Sequence, residues 1–399
     1  MKILYLQQQL IISDIHAGND RCIYFASRWA REGIEVHFIS TIPPTLHADQ
    51  DPTPPHIPGV NIHRVETAYA HSMGFLRRIL SFLSFSWKAW RIGKTLKDID
   101  LVLAYTAPPT VAEIGRRLAA YHHVPFYLEV ADVWPDVPIG MGLLPFPPLA
   151  NYLLKRMNRI YGEANCVFTF SEDMRNMILE HVPTHTCVEV IHNGADPKFY
   201  EIPQKRSETT PVRLLYIGTL GMANQLTQLV DTLKLIPEEV RERLEILVVG
   251  SGNEEKALQD KAAAFSNIYL YPSCTRAEVH TWLEKADIGL SMFAPYPILA
   301  SNSATKFFDY LAAGLPVLLN YEGWQATYLN EYQCGLPSPQ GDPQALADNL
   351  QQLVLQPELR KRMGENSRRL AQQKFDRDKL AAFMLENMKP GIKDEQTSY

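Results

Sequence analysis

The sequence has few cysteines, no long apolar run and little net charge. Its five cysteines, which are scattered and form no CxxC pair, argue against a disulfide framework or a zinc site and suit a reducing compartment. No run of about eighteen apolar residues is present, so no membrane-spanning helix is expected. The net charge of −5, from 39 basic and 44 acidic side chains, argues against a dedicated nucleic-acid binder.

Motifs for several common chemistries are also absent. The sequence contains no GxGxxG dinucleotide fingerprint, no P-loop and no GxSxG. Short acidic pairs do occur, but they fall in predicted loops or at helix edges without a supporting cluster of carboxylates or histidines. These pairs are Asp49/Asp51, Asp98/Asp100 and Asp376/Asp378. We therefore expect no metal site and no resident cofactor.

The residues that are present have an ordinary globular composition. Of 399 residues, 46% are hydrophobic and 21% charged, and this length predicts two to three domains. Residues 1–6 are expected to form a first strand, because Gln7–Gln9 would interrupt a signal-peptide core.

Short apolar runs alternate twice with longer amphipathic stretches, among them Asp20–Glu32, Val111–His122 and Gln225–Ile236. Strands that are apolar throughout and alternate with helices form parallel sheets covered on both faces. We therefore predict an α/β protein with two doubly wound, Rossmann-like domains facing a cleft. The predicted strands are Ile3–Gln7, Glu35–Ser40, Val60–Val65, Leu101–Tyr105, Phe126–Glu129, Cys166–Ser171, Val188–His192, Arg213–Gly218, Leu244–Gly250, Ile268–Tyr271, Ile288–Ser291, Val317–Asn320 and Gly335–Pro337.

The domain boundary is marked by turn residues. Asn193-Gly194 and Asp196-Pro197 precede the polar stretch Glu201–Thr210, which is typical of a linker. We predict a first domain over residues 1–195, a linker over 196–210 and a second domain over 211–375. A C-terminal helix and tail over 376–399 can cross back to the first domain. A cleft between two such domains places a ligand at the carboxyl ends of the strands.

Two strand-to-helix loops carry glycine where a bound group would approach the backbone. Gly18 lies in the loop after the first strand, and Gly218, Thr219 and Gly221 follow the first strand of the second domain. The start of a helix offers free N–H groups that favour anions. Each loop is a candidate anion-binding turn, and a plain tight turn is the alternative for both.

The segment Ser301–Val317 has the richest pattern in the chain. Asn302 or Ser303 is expected to cap a helix that runs to Ala313, with Gly314 directly after its end. The free amides at the start of such a helix point out of the fold and are available to a ligand.

A cation stands in the first turn of this predicted helix. Lys306 there opposes the helix macrodipole, so an anionic partner such as a diphosphate gives a physical reason for its position. Asp309 lies three residues further on the same face. A surface ion pair between Lys306 and Asp309 is the alternative.

Five segments carry a resemblance to a known family. They are Asp132–Asp136 (DVWPD), Ile191–Asp196 (IHNGAD), Tyr216–Gly221 (YIGTLG), Ala286–Leu290 (ADIGL) and Lys306–Val317 (KFFDYLAAGLPV). Taken together and in this order, over nearly the whole chain, they resemble a family 4 glycosyltransferase of the GT-B fold. The resemblance is to the bacterial surface-polysaccharide group related to fucosamine transferases.

The resemblance implies which residues bind a nucleotide-sugar donor. Asp309 stands at the place of the family's second motif glutamate, whereas Ser301 occupies the place of the first and is not acidic. Met222–Gln225 replace the usual Arg and Lys after the glycine loop, which leaves Lys306 as the phosphate cation. The implied donor-binding residues are Gly18, Gly218, Thr219, Gly221, Ser301, Asn302, Ser303, Lys306 and Asp309.

A candidate acid or base lies in the first domain. Asp132 follows a predicted strand and, by the resemblance, faces the transferred sugar, where a carboxylate would orient the acceptor hydroxyl or accept its proton. Glu129 and Asp136 are rivals for this role. The alternative for Asp132 is a structural carboxylate that caps the turn at Trp134-Pro135.

The stretch Thr67–Lys97 has basic residues and no acidic one, although the whole chain is acidic. On a helical projection, one narrow stripe contains Arg77, Ser81, Ser84, Lys88, Arg91 and Thr95. The opposite side contains Phe75, Ile79, Phe82, Leu83 and Trp90. This asymmetry predicts contact with an anionic membrane surface, and a core-covering helix is the alternative. The basic residues are Arg77, Arg78, Lys88, Arg91, Lys94 and Lys97.

These observations predict a cytoplasmic glycosyltransferase at the inner face of the plasma membrane. It would move a hexose or N-acetylhexosamine-type sugar from a nucleoside diphosphate donor, most simply UDP-linked, to a lipid-linked saccharide. The resemblance implies retention at the anomeric carbon without a metal. Catalysis would rest on Lys306 and Asp132. A sugar-nucleotide 2-epimerase and a non-catalytic scaffold of the polysaccharide machinery are the alternatives.

Overall fold

The computed structural model describes residues 1–12, 20–42, 56–67, 75–106, 108–203 and 211–389, with the main chain alone at residues 75 and 76. Gly18 and residues 204–210 of the predicted linker lie outside these ranges. The chain divides into two compact units. Unit 1 contains Met1–His192 and the chain from Asp378 onward, and unit 2 contains Asn193–Arg377.

Unit 1 is built on a seven-stranded parallel sheet with the strand order β3-β2-β1-β4-β5-β6-β7. The strands are β1 (Lys2–Gln9), β2 (Glu35–Thr41), β3 (Val60–Arg64), β4 (Leu101–Tyr105), β5 (Phe126–Val130), β6 (Cys166–Thr169) and β7 (Val188–Val190). The helices are α1 (Arg21–Arg31), α2 (Phe75–Gly93), α3 (Pro109–His122), α4 (Asp136–Gly140), α5 (Pro147–Glu163) and α6 (Glu172–Leu179).

Side-chain alternation along the strands builds a core on each face of this sheet. In β1, Leu4 and Leu6 pack in a cluster with Phe85 of α2 and Leu118 of α3. Ile3 and Tyr5, which point the other way, pack with α1. The strands are apolar throughout because both faces are covered, which is the arrangement expected of a parallel sheet.

A C-terminal helix, α15 (Arg377–Met388), completes the core on the α1 face of unit 1. The indole N–H of Trp29 donates to the carbonyl of Ala381 at 2.8 Å, and the hydroxyl of Tyr127 donates to the carbonyl of Met388 at 3.3 Å. The hydroxyl of Tyr24 donates to Asp378 Oδ1 at 2.8 Å. The end of the chain is therefore part of the unit formed by its beginning.

Unit 2 is built on a six-stranded parallel sheet with the strand order β10-β9-β8-β11-β12-β13. The strands are β8 (Val212–Ile217), β9 (Leu244–Val249), β10 (Ile268–Tyr271), β11 (Ile288–Ser291), β12 (Val317–Leu319) and β13 (Gly335–Pro337). The helices are α7 (Thr227–Leu233), α8 (Glu238–Arg241), α9 (Glu255–Ala262), α10 (Val279–Lys285), α11 (Thr305–Ala313), α12 (Trp324–Tyr332), α13 (Pro343–Leu355) and α14 (Pro357–Lys374), with 3₁₀ turns at Pro197–Glu201 and Pro297–Ser301.

The predicted α/β class with two parallel sheets is confirmed. The thirteen predicted strands all occur among the described residues, and their ends either agree with the structure or differ by one or two residues. The predicted helix Gln225–Ile236 begins only at Thr227, because Gln225 has a left-handed backbone with φ of +42°. A residue in that conformation cannot belong to a right-handed helix.

The expectation that the cysteines stay unpaired is wrong for Cys166 and Cys187, which form a disulfide. Their strands pair in parallel with Val167 opposite Val188, so the two cysteines are neighbours one residue earlier, with Cα atoms 4.6 Å apart. A separation of 21 residues in the sequence gives no sign of this register. Cys22, Cys274 and Cys334 are free.

Candidate functional site

Tyr310, in the second turn of α11, attaches this helix to the carboxyl end of β8. The hydroxyl of Tyr310 donates to the carbonyl of Leu215 at 3.0 Å and accepts from the amide of Ile217 at 3.1 Å. Its ring fits only because residue 289 is glycine, since a Cβ there would lie 2.3 Å from the ring. These two hydrogen bonds and the packing against Gly289 hold α11 next to β8 and β11.

Lys306, in the first turn of α11, lies over the aromatic ring of Tyr216, a residue of β8. Its ammonium nitrogen is 3.9 Å from the centroid of the Tyr216 ring, an electrostatically favourable cation–π position. The hydroxyl of Tyr216 donates to the carbonyl of Thr219 at 2.7 Å. A Cβ on Gly218 would lie 3.0 Å from the ammonium nitrogen. Lys306 and the Gly218–Thr219 loop, which the sequence pattern singled out separately, are therefore adjacent.

The charge of Lys306 has no carboxylate partner in the described parts of the chain. No Asp or Glu there lies within ion-pair distance of it, and the side chain is partly buried. Burial lowers the pKa of the Lys306 ammonium to about 7. A partly buried cation without a counter-ion, at the start of a helix, is arranged to receive an anion.

The predicted cap of α11 is wrong. The helix begins at Thr305, and the residue before it, Ala304, has no side chain that caps the first amides. Asn302 Oδ1 instead accepts from the amide of Ser303 at 2.6 Å, directly after the 3₁₀ turn at Pro297–Ser301. The first amides of α11 are consequently left to a ligand or water. The predicted end is confirmed, since Gly314 has a left-handed backbone with φ of +72°.

Ser301, Asn302 and Ser303 hold the loop before α11 in shape. The hydroxyl of Ser301 donates to the carbonyl of Ile298 at 2.7 Å. The carbonyl of Asn302 accepts from the indole N–H of Trp324 at 3.1 Å, and that of Ser303 accepts from the amide group of Asn193 at 2.7 Å. These contacts fix the approach to Lys306.

Asp309 is buried in an ion pair with a residue that sequence reasoning did not identify. The guanidinium of Arg276 donates to its two carboxylate oxygens at 2.5 and 2.8 Å, and both side chains are 4% exposed. The alternative of a surface pair between Lys306 and Asp309 is therefore wrong. No sequence signal links position 276 to position 309.

A second glycine pair, Gly250 and Gly252, was also missed. A Cβ at Gly250 would lie 1.9 Å from the carbonyl oxygen of Gly218, and one at Gly252 would lie 2.2 Å from that of Leu220. The amide of Leu220 donates to the carbonyl of Ser251 at 2.9 Å. These glycines let the loops after β8 and β9 lie backbone to backbone. The available signal was a glycine-x-glycine directly after a predicted strand.

The two predicted glycines of the β8 loop have different roles. Gly218 has φ of +143°, a conformation that side chains rarely adopt, whereas a Cβ on Gly221 would make only ordinary contact, 3.5 Å from the Thr219 methyl group. Gly218 is therefore required by the backbone, and Gly221 is not.

In unit 1, Asp132 follows the end of β5 and is partly buried. Burial raises the pKa of its carboxyl group to about 6. It makes no hydrogen bond with any residue in the described ranges, so the alternative of a turn-capping carboxylate has no support in its contacts. An unpartnered carboxyl group with a pKa near neutrality is suited to exchange a proton.

The two rival carboxylates of unit 1 differ from Asp132. Glu129 is fully buried in β5 and bonds to the hydroxyl of Tyr5 and the guanidinium of Arg21, which is a structural arrangement. Asp136 lies in the first turn of α4, and its pKa is raised by burial. Glu129 is thereby excluded from proton transfer, and Asp136 is not.

Helix α2 packs with a face that differs from the predicted one. Ser81, assigned to the basic stripe, is buried, while Leu83, assigned to the opposite side, is 55% exposed. The helix has this orientation because Phe85 and Ala89 enter the core and because Gly93 allows it to approach the Leu118 side chain of α3.

The exposed face of α2 therefore combines apolar and basic side chains. Leu80 is 66% exposed and Trp87 57%, and the guanidinium of Arg91 lies 4.8 Å from the centroid of the Trp87 ring. Arg77 is exposed and Arg78 is partly buried, while Lys88 donates to the carbonyl of Glu66 at 2.5 Å. None of the described helices is long and apolar enough to cross a membrane.

Family models match both units. Residues 20–199 match the model described as Glycosyltransferase Family 4, and residues 198–370 match the model described as Glycosyl transferases group 1. An uncharacterised glycosyltransferase of Methanocaldococcus jannaschii is 21% identical over 229 residues, which cover 54% of this chain and 56% of that protein. The chain thus spans little more than half the length of this curated relative.

Solved structures show the same fold at low sequence identity. A sucrose-phosphate synthase from Thermosynechococcus elongatus superimposes with a TM-score of 0.77 at 14% identity, covering 96% of this chain and 97% of that one. HepE of Anabaena, in complex with UDP and glucose, superimposes with a TM-score of 0.69 at 15% identity, covering 97% of this chain and 99% of that one. WaaG, a glycosyltransferase involved in lipopolysaccharide biosynthesis, superimposes with a TM-score of 0.68 at 16% identity, covering 98% of this chain and 100% of that one. The chain belongs to the family 4 glycosyltransferases and has the two Rossmann-like units of the GT-B fold.

Proposed function

We propose that the protein transfers a hexose or N-acetylhexosamine-type sugar from a UDP-linked donor to a lipid-linked saccharide, with retention and without a metal, in the synthesis of a surface polysaccharide. The observation that carries the donor half is Lys306, a partly buried ammonium without a carboxylate partner beside the uncapped start of α11. A diphosphate supplies the negative charge that this arrangement lacks.

The choice of UDP is supported by one of the similar structures. HepE of Anabaena contains UDP and glucose, and its fold covers nearly the whole of this chain. Gly218, at the end of β8, lies next to Lys306, where a Cβ would come within 3.0 Å of its ammonium nitrogen, so a glycine here leaves room for the ammonium and a diphosphate. Surface polysaccharide as the product is supported by the Asp132–Asp136 segment, which resembles the fucosamine transferase group.

The chemistry follows from charge development on the leaving group. When the bond between the sugar and the diphosphate breaks, negative charge grows on the phosphate oxygen, and an ammonium already in place stabilises it without reorganisation. Asp132 acts on the acceptor, orienting its hydroxyl or accepting its proton. Its raised pKa of about 6 leaves it deprotonated, and able to accept a proton, near neutral pH.

A membrane position at the inner face of the plasma membrane, with the protein in the cytoplasm, is supported by α2. Its exposed face combines Leu80, Leu83 and Trp87 with the basic Arg77 and Arg91. Apolar side chains that enter the lipid boundary and cations that meet anionic headgroups are the two components of interfacial binding. A lipid-linked acceptor would be presented at such a surface.

The test of the donor assignment is a binding screen with a matched variant. Thermal unfolding is followed with UDP-sugars and with GDP- and dTDP-sugars, because a ligand of the folded state raises the midpoint. We expect UDP-sugars to raise it in the wild type and in Lys234→Ala, an exposed lysine of the same unit, but not in Lys306→Ala. Equal stabilisation of both variants would remove Lys306 from the site.

A further inference from the structure

The first turn of α11 holds a cation and an anion that do not pair. Lys306 and Asp309 are three residues apart, a spacing that places side chains next to each other on a helix and normally favours an ion pair. Yet the ammonium lies on the Tyr216 ring, and the carboxylate is taken by Arg276. Arg276 thus competes with Lys306 for the same carboxylate.

The site of Arg276 is built to keep this carboxylate. Its guanidinium lies over the ring of Phe199, 4.7 Å from the centroid, and is 3.7 Å from a second carboxylate, that of Asp196. Asp196 is also 3.6 Å from Arg377. Because these side chains are 0–6% exposed, the charges are screened little and the two-point contact with Asp309 is strong.

We propose that Arg276 is a positioning residue, which holds the Asp309 carboxylate away from Lys306 and so leaves the ammonium available to the donor diphosphate. The inference rests on the proposed role of Lys306 in donor binding. It deepens that proposal, because it states why a helix with adjacent opposite charges still presents an unpaired cation. Arg276 would act on donor binding through Asp309.

Removal of Arg276 should transfer the carboxylate to Lys306. A buried carboxylate that loses its partner must find another cation or take up a proton, and Lys306 is the cation on the same face of its own helix. The ammonium lies over the Tyr216 ring and next to Gly218, and neither of these competes with Asp309 for it. Arg377, which is 3.6 Å from Asp196, is the rival cation for Asp309. The new pair would raise the pKa of Lys306 and weaken its attraction for phosphate.

The experiment compares Arg276→Met with Arg360→Met. Arg360 is a buried arginine in α14 of the same unit that donates to the carbonyls of Leu353 and Val354 at the end of α13, so its variant reports the cost of losing a buried guanidinium elsewhere. UDP affinity is measured by calorimetry near pH 7. We expect about tenfold weaker binding in Arg276→Met and less than about threefold in Arg360→Met. Equal losses in the two variants would refute the proposal.

A second readout does not depend on the donor. The rate of acetylation of Lys306 against pH, followed by mass spectrometry of its peptide in the ligand-free protein, gives the pKa of its ammonium. We expect a higher pKa in Arg276→Met than in the wild type, and no change in Arg360→Met. An unchanged pKa in Arg276→Met would show that Asp309 does not turn to Lys306. If this variant does not fold, Arg276→Lys, which keeps the charge but loses the two-point contact, takes its place with a smaller expected shift.

Rescue separates positioning from general damage. In the double variant Arg276→Met/Asp309→Asn the competing charge is gone, so the pKa of Lys306 in the ligand-free protein should return to its wild-type value. A double variant whose Lys306 pKa stays as high as in Arg276→Met alone would refute the proposal. Lys306→Ala tests the underlying assignment separately, because unaltered UDP binding there would refute the proposed donor site whatever Arg276 does.

Discussion

Donor affinity should depend on pH through Lys306. In the free protein burial lowers the pKa of this ammonium to about 7, whereas a bound diphosphate favours the charged form and raises it again. The charged fraction in the free protein then falls from about nine tenths at pH 6 to about one tenth at pH 8. Binding of the anion requires the charged form, so affinity should fall about tenfold between these pH values.

Calorimetry with UDP-glucose measures this effect. Its diphosphate is a diester and does not titrate near neutral pH, so the pH dependence belongs to the protein. Repeating the titration in buffers with different ionisation enthalpies counts the protons taken up on binding, which should rise from near zero at about pH 6 to nearly one at about pH 8. Lys306→Arg stays charged throughout and should bind with little pH dependence. Proton uptake that is zero in the wild type, or equal in both proteins, would refute the assignment.

Four further predictions follow from the same contacts. Lys306→Met should raise the free energy of unfolding by about 1–3 kcal/mol near pH 7, because the lysine of the unfolded chain binds its proton more tightly than the buried one. The stability of the wild type should rise between about pH 7 and pH 10, and the difference in stability between the two proteins should vanish above that range. Denaturant titrations at several pH values measure both effects. Asp132→Asn should leave UDP affinity unchanged and lower the transfer rate by about a hundredfold or more, and an unaltered rate would favour Asp136. Leu83→Ser with Trp87→Ser should release the protein from anionic vesicles in a sedimentation assay that Leu235→Ser, exposed in unit 2, passes unchanged. Gly218→Ala should weaken UDP binding about tenfold, because the new methyl group displaces the Lys306 ammonium and φ of +143° strains alanine, whereas Gly221→Ala should bind normally.

The fold was predictable because its determinants are local and repeated. Strands such as Leu101–Tyr105 and Ile288–Ser291 agree with the structure at both ends, since a short apolar run between polar turns is the pattern of a strand covered on both faces. The end of α11 at Gly314 was equally clear, because a left-handed residue after a helix favours glycine. Its start was not, because the loop at Asn302 and Ser303 before it is held by bonds from Trp324 and Asn193, which are distant in sequence.

The orientation of α2 shows a different limit. A helical projection of Thr67–Lys97 identifies an amphipathic segment, but it cannot decide which apolar side enters the core when apolar residues occur all round. Phe85 and Ala89 enter because Gly93 allows close contact with Leu118, a tertiary feature. The side with Leu83 is consequently left exposed.

The chemistry of α11 depends on a pairing that sequence spacing misrepresents. Lys306 and Asp309 satisfy the helical rule for an ion pair, and on that rule alone the lysine would be neutralised within its own helix. The rule fails because a two-point contact from a buried guanidinium is stronger than a contact between neighbours on a helix surface. On the proposal above, an arginine that precedes α10 determines whether a lysine in α11 is left unpaired for an incoming anion. The availability of Lys306 to an anion therefore depends on Arg276, which binds the neighbouring Asp309 carboxylate, as much as on the position of Lys306 itself.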